Sequence, residues 1–198
     1  QYKTKRWVKT VNDSNTKEIY QLFKDYVLIE FKNGKEFIDD IIRFVNWYKW
    51  IKIEIITDII NENSSKNSEI KELLRNIFHD IKADSFIPFV FGLFEYNQLG
   101  KNDIKLADET LISILTTIRT YIIRRRLMKL SKGDNKSIVL LIIQIEELAK
   151  KNISMVDLLS NLYYDMRFPN DEIIRTKLQA MDFYNELKKY SKFILGKI

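Results

Sequence analysis

Residues 37–59 read FIDDIIRFVNWYKWIKIEIITDI, and apolar side chains recur in this stretch at intervals of three and four residues. That spacing gathers them on one stripe of an α-helix, which turns once in about 3.6 residues. The stripe consists of Phe37, Ile41, Phe44, Tyr48, Ile51, Ile55 and Ile59. We therefore predict one amphipathic helix through the whole stretch, with this side facing a core.

Similar spacing continues along most of the chain and predicts an all-α fold. The polar loop 61–68 ends in Ser68, which is suited to cap the next helix, and Pro88 suits the first turn of another. Further helices are predicted over 68–83, 88–100, 106–130, 136–151, 155–164, 171–181 and from 183 onward, with a stop at 133–135. The result is a multi-helix bundle of about eight helices. It forms either two packed helical subdomains, 1–100 and 101–198, or one continuous domain.

Two segments also fit a β-strand. Residues 27–34 end in Asn33-Gly34, a strong hairpin signal. We favour a helix that stops at a Gly34 cap, because the residues after it fit a helical period better than an alternating one. Residues 137–145 are rich in β-branched side chains, but a single strand would have nothing to pair with. Helix is predicted in both places.

Composition excludes several kinds of catalytic site. The 198 residues include one histidine, His79, no cysteine and five glycines. A thiol enzyme, a cysteine-bound zinc and a glycine-rich phosphate loop each need residues that are missing. The adjacent pairs Glu146–Glu147 and Asp171–Glu172 point about 100° apart on a helix, so neither pair is expected to share a metal ion. We predict no catalytic residue, no metal and no cofactor, and hence no enzyme activity in this chain.

Targeting and membrane signals are also absent from the sequence. The longest apolar run, Ile138–Ile143, is far shorter than the roughly 20 residues of a membrane helix. No signal peptide opens the chain, and the lack of cysteine fits a reducing compartment. We expect a cytoplasmic protein without membrane contact. Because the chain starts at Gln1 and stops at Ile198 within a helical pattern, we also expect it to be a piece of a longer protein.

Basic residues are concentrated in residues 119–136, which contain seven lysines and arginines and one acid, Asp134, in a chain of net charge +6. A local field of this sign attracts phosphate. The candidate nucleic-acid contacts are Arg119, Arg124, Arg126, Lys129 and Lys132. The alternative is that a modest basic excess only keeps the domain soluble.

Arg125 differs from its neighbours because helical winding places it within the apolar stripe that includes Ile118, Tyr121 and Ile122. We therefore predict a partly buried, structural charge that needs a carboxylate or backbone carbonyls as partners. Arg119 lies on the flank of the same stripe.

Arg75 and His79 lie four residues apart, on one face of a predicted helix. The pair resembles the arginine and histidine of HEPN ribonucleases, although the three intervening residues are fewer than in that family. A solvated pair beside Asp80 is the structural alternative. An RNase-like enzyme is accordingly the least favoured hypothesis.

Two stretches resemble the helical middle region of GmrSD-like restriction endonucleases, which are bacterial anti-phage enzymes that attack modified DNA. Residues 120–125 contain a Tyr-x-x-Arg-Arg segment, and residues 168–172 contain a Phe-Pro-x-Asp segment. The resemblance continues through Leu178, Phe183–Tyr184 and 193–195. Residues 37–48 and 87–99 fit more loosely.

In that family a ParB-like N-terminal domain uses nucleotide through an Asp-Gly-x-x-Arg motif, and an HNH-type C-terminal domain cuts DNA. Neither signature occurs in this sequence. The resemblance therefore implies a non-catalytic connector that positions two flanking domains and touches DNA. Arg124 and Arg125 match the family's arginine pair, whereas Arg126 stands where the family more often has a small residue. The alternative is a stand-alone nucleic-acid-binding module.

Overall fold

The computed structural model describes residues 16–53, 65–97, 103–129, 141, 144–165, 168–182 and 185. Within these residues the regular structure is helical and contains no strand, which confirms the all-α fold. The helices are α1 Thr16–Glu30, α2 Gly34–Ile53, α3 Ser65–Arg75, α4 Ile87–Glu95, α5 Asp108–Leu127, α6 Met155–Asp165 and α7 Asp171–Ala180. Residues 144–149 are also helical. In the described part of the chain, no helix is long and apolar enough to cross a bilayer.

The Asn33-Gly34 pair begins a helix instead of making a hairpin or ending one. Gly34 is the first residue of α2, so the predicted glycine cap on α1 is wrong. The Asn33 side-chain oxygen accepts a hydrogen bond from the Glu36 backbone N–H at 3.0 Å, and the Glu36 carboxylate accepts one from the Lys32 N–H at 3.0 Å. Such reciprocal capping satisfies backbone donors that the first turn leaves open.

α3 begins at Ser65, so the predicted loop extends too far at its C-terminal end and Ser68 is not the cap. Ser68 and Glu69 are exposed, which explains why the sequence shows no apolar period there. At its other end α3 continues into a π-helical turn, Asn76–Asp80. In this turn the Ile81 N–H donates to the Asn76 carbonyl at 2.9 Å.

α4 starts as predicted, with Pro88 in its first turn, but it ends at Glu95 and not near Gly100. Asn97, just after this end, is buried, and its side-chain nitrogen donates to the Leu106 carbonyl at 3.2 Å and to Asp108 Oδ1 at 3.1 Å. These bonds hold the end of α4 against the beginning of α5.

α3 packs against α5, and both helices contribute to one apolar cluster that extends to α2, α4 and residues 141–158. The helical spacing of apolar residues predicted for both segments is confirmed by their burial. The buried side chains are Ile70, Leu73, Leu74, Ile77, Phe78 and Ile81 in the first segment and Leu111, Ile114, Leu115, Ile118, Tyr121 and Ile122 in the second. The cluster includes residues on both sides of residue 100. Residues 55–59, 133–135, Lys132 and most of the last predicted helix lie outside the described residues.

α2 buries only part of the stripe that its spacing predicts: Ile51 is buried and Phe44 packs against the core, but the buried side is turned toward Trp47 and Trp50. Ile41 is 44% exposed and Tyr48 is 49% exposed, whereas Trp47 and Trp50 are buried. Trp47 contacts the ring of Phe94 in α4 edge-on, with centroids 5.5 Å apart, and Trp50 lies 5.2 Å from the same ring. Because large aromatic side chains bury the most apolar area, their packing sets the rotation of the helix.

A buried ion cluster joins α2 to α4. Arg43 Nη2 lies 2.5 Å from both Asp40 Oδ1 and Glu95 Oε1, and the arginine side chain is 13% exposed. Its guanidinium also lies over the rings of Phe44 and Trp47, at 5.4 and 5.2 Å from their centroids. Sequence reasoning did not identify this cluster. Removing one partner of such a cluster leaves charge buried without compensation.

We predict that Arg43→Ala lowers the free energy of unfolding by about 3–5 kcal/mol, because Asp40 and Glu95 then lose their cation. Urea denaturation followed by circular dichroism measures the change. The matched control is Asp39→Asn at an exposed neighbouring position, which should change stability by less than about 0.5 kcal/mol. A loss below about 1 kcal/mol for Arg43→Ala would show that the cluster contributes no more than a surface ion pair.

Candidate functional site at the junction of α5 and α7

Arg124, in the last turn of α5, reaches the segment that leads into α7. Its Nη1 donates to the Pro169 carbonyl at 2.8 Å, and its Nη2 lies 2.5 Å from Asp171 Oδ1. The guanidinium carbon is 5.3 Å from the centroid of the Phe168 ring. One arginine thus uses its planar face and two of its nitrogens, a combination that lysine cannot reproduce.

Tyr121 lies one helical turn before Arg124 and supports the same contact. Its ring is buried and lies 5.6 Å from the ring of Phe168, and on another side it meets Phe86 at 6.3 Å. The Tyr-x-x-Arg spacing therefore points an aromatic ring and a guanidinium at one segment. As a result, the two sequence stretches that carry the family resemblance contact each other in space.

The ion pair in this junction is only partly shielded from water. The Arg124 side chain is 24% exposed and that of Asp171 is 80% exposed. A pair this accessible contributes little by itself, about 0–1 kcal/mol. The buried Pro169 and the stacking of Phe168 supply the remaining contact, and the Asn170 side chain caps α7 by accepting from the Ile173 N–H at 2.9 Å. α7 itself buries none of its residues.

The other predicted phosphate contacts lie nearby in α5 and just after it. Arg119 and Arg126 are half-buried, Lys129 is exposed with a left-handed φ of 52°, and Lys132 lies outside the described residues. Arg125 is half-buried, with its guanidinium 5.5 Å from the Tyr121 ring centroid. The sequence predicts a carboxylate or backbone carbonyls as partners of Arg125. In the structure Arg124 has partners of both kinds, the Asp171 carboxylate and the Pro169 carbonyl.

His79 lies in the π-helical turn after α3, and its ring contacts the C-terminal end of α2. The ring Nε2 is 2.6 Å from the Ile51 carbonyl, which can only accept, so Nε2 carries the hydrogen. Ile51 lies in the last described turn of α2. His79 is half-buried, whereas Arg75 is exposed. The geometry favours a structural role for the histidine.

A third polar group lies at the end of α4. Burial raises the pKa of Tyr96; Lys150 lowers this pKa, while the carboxylates of Glu95 and Glu147 raise it. The phenol therefore remains protonated at neutral pH. Among the described residues, no group of three or more histidine, aspartate or glutamate side chains is arranged to hold a metal ion.

Comparison with known proteins gives no match for this chain, whether with protein-family models, curated proteins or solved structures. The contacts around Arg124 are the observations on which a function can be built. They bring together residues from two separate sequence motifs and place them at the junction of two helices.

We predict that Arg124→Lys lowers the free energy of unfolding by about 0.5–1.5 kcal/mol, since lysine keeps the charge but loses the second hydrogen bond and the stacking. Arg119→Lys is the matched control and should change it by less than about 0.5 kcal/mol. Urea titrations of both variants test this. Equal stabilities would mean that the junction depends on charge alone.

We also predict that His79→Ala costs about 1–3 kcal/mol of stability, because the Ile51 carbonyl loses its donor. His79→Gln should recover part of that loss, since its side-chain N–H extends in the same direction. Thermal or urea unfolding of the two variants provides the measurement. If both variants are as stable as the parent protein, the hydrogen bond has no structural role.

Proposed function

We propose that this chain is the non-catalytic helical connector of a GmrSD-like, modification-dependent restriction protein in phage defence. The resemblance of residues 120–125 and 168–172 to that family is the basis of the proposal. The observation that supports it best is the contact between these two stretches through Arg124, Phe168 and Asp171.

A connector must hold its ends in a defined orientation, and the described contacts suit that task. The apolar packing of α3 on α5 supplies a stiff centre, because protein interiors are packed as densely as organic crystals. Arg43 ties α2 to α4 on one side of the fold, and Arg124 ties α7 to α5. In this proposal the partners are the flanking domains of a cytoplasmic parent protein, and the connector needs no cofactor.

DNA contact is the second part of the proposal. The last turn of α5 carries Arg124, Arg125 and Arg126, and Lys129 follows within three residues. Besides Arg124, the candidate phosphate contacts in and just after α5 are Arg119, Arg126 and Lys129, which we call the α5 basic strip. Such contacts bind the phosphate backbone without reading sequence, and salt weakens them. The same strip would serve the alternative function, a stand-alone nucleic-acid-binding module.

The parent reading frame provides the direct test of the connector. We expect it to encode a domain with an Asp-Gly-x-x-Arg motif upstream and an HNH-type nuclease domain downstream. A frame with neither domain would overturn the connector and leave the stand-alone module. Cleavage of DNA or hydrolysis of GTP by the purified chain would contradict the non-catalytic role. Cleavage of RNA that is lost in the His79→Ala variant would instead support the RNase-like hypothesis.

For the basic strip, we predict weak, salt-sensitive binding to duplex DNA. The double variant Arg119→Ala, Arg126→Ala should flatten the slope of log affinity against log salt by about two, one for each lost phosphate contact. Lys24→Ala with Lys35→Ala removes the same charge from exposed positions far along the chain and is the control. Gel shifts across a salt series measure both. Identical slopes for the two double variants would remove the strip from the proposal.

A further inference from the structure

The contacts that join α7 to Arg124 of α5 lie at the N-terminal end of α7 and in the residues just before it. The helix packs against α5 but buries none of its own residues. The adjoining contacts are made by Phe168 and Pro169, just before the helix, and by Asp171 in its first turn. All three contact the same side chain, Arg124. Phe168 also packs on the buried Tyr121 ring, so Arg124 supplies the polar part of the docking of α7 and the aromatic and proline contacts supply the apolar part.

The groups around Arg124 resemble those that a phosphate would supply. The Pro169 carbonyl oxygen and the Asp171 carboxylate oxygen occupy its two terminal nitrogens, as two oxygens of a phosphate do in a bidentate pair. Asp171 is mostly exposed, so a competing anion can reach this edge of the guanidinium from solvent. The arginine cannot hold both partners in this geometry.

We propose that Arg124 is a latch for which α7 and a nucleic-acid phosphate compete. When the α5 basic strip meets a phosphate backbone, Arg124 exchanges Asp171 for a phosphate, and the docking of α7 on α5 weakens. The inference rests on the DNA contact in the proposed function and adds a consequence to it. Because coupling between two equilibria is reciprocal, docking of α7 weakens phosphate binding as much as phosphate binding weakens docking.

Asp171 and Glu172 provide a matched pair of variants. Both are exposed acids in the first turn of α7, but Asp171 is the one whose carboxylate contacts Arg124 in the structure. Asp171→Asn and Glu172→Gln each remove one negative charge, so general electrostatic effects on DNA binding are equal. Only Asp171→Asn removes the competitor for the arginine. Neither residue is buried, and both variants should fold.

The experiment combines affinity with backbone hydrogen exchange, using a short duplex DNA as the probe. We expect Asp171→Asn to bind DNA about two- to fivefold more tightly than Glu172→Gln, because a larger fraction of molecules presents Arg124. We also expect saturating DNA to speed exchange of the amides in 173–180 of the unmodified protein, since an undocked helix of this length frays in water. In Asp171→Asn the same amides should exchange faster than in Glu172→Gln before DNA is added, by no more than the few-fold that a pair worth about 0–1 kcal/mol allows.

Equal affinities of the two variants, or slower exchange in α7 on DNA binding, would overturn the latch. A complete lack of DNA binding would overturn it as well, but would leave the connector intact, since that depends on the flanking domains in the parent frame. Conversely, a parent frame without those domains would remove the connector and still allow the latch, if the Asp171→Asn and Glu172→Gln variants differ as expected.

Discussion

Apolar packing between α3 and α5 is the constraint on which the other helices depend. Ile77, Ile114 and Ile118 are fully buried in this contact region, and each belongs to a stripe with helical spacing. Burial of such side chains contributes about 1.5–3 kcal/mol each, and no other helix pair in the described residues packs as extensively. α7 packs on α5, and α2 packs on α4 and on the π-helical turn that follows α3.

Two arginines fasten the outer helices, and they differ in how well water reaches them. Arg43 is enclosed by Asp40, Glu95 and aromatic rings, so solvent has little access to its ion pairs. Arg124 uses the same combination of carboxylate and aromatic face, but its partner Asp171 is mostly exposed. A buried ion cluster is suited to holding two helices in one orientation, whereas an exposed ion pair can be broken by a competing ligand. This difference is why the inferred latch lies at α7 and not at α2.

Several sequence predictions were wrong because the local sequence is compatible with more than one buried side, helix boundary or set of side-chain partners. α2 has apolar residues around most of its circumference, so spacing alone did not show that Trp47 and Trp50 would face inward in place of Ile41 and Tyr48. Gly34 begins a helix instead of ending one because the Asn33 side chain caps the start of α2. Its oxygen accepts a hydrogen bond from the Glu36 backbone N–H. Asp40 and Arg43 are three residues apart, a spacing that brings two side chains together on a helix. The other partner of Arg43, Glu95, is distant in sequence, so this contact could not be inferred from the sequence.

The sequence by itself determined the all-α fold and the buried stripes of α3 and α5, because periodic burial is a local property of a helix. It also identified Arg124 as a residue of interest, through the motif it belongs to. Only the tertiary structure decided what that residue touches: Pro169 and Asp171 lie more than forty residues away along the chain. A side chain's partners depend on how helices pack together, and that packing is set by the whole core instead of by the residues beside it in sequence.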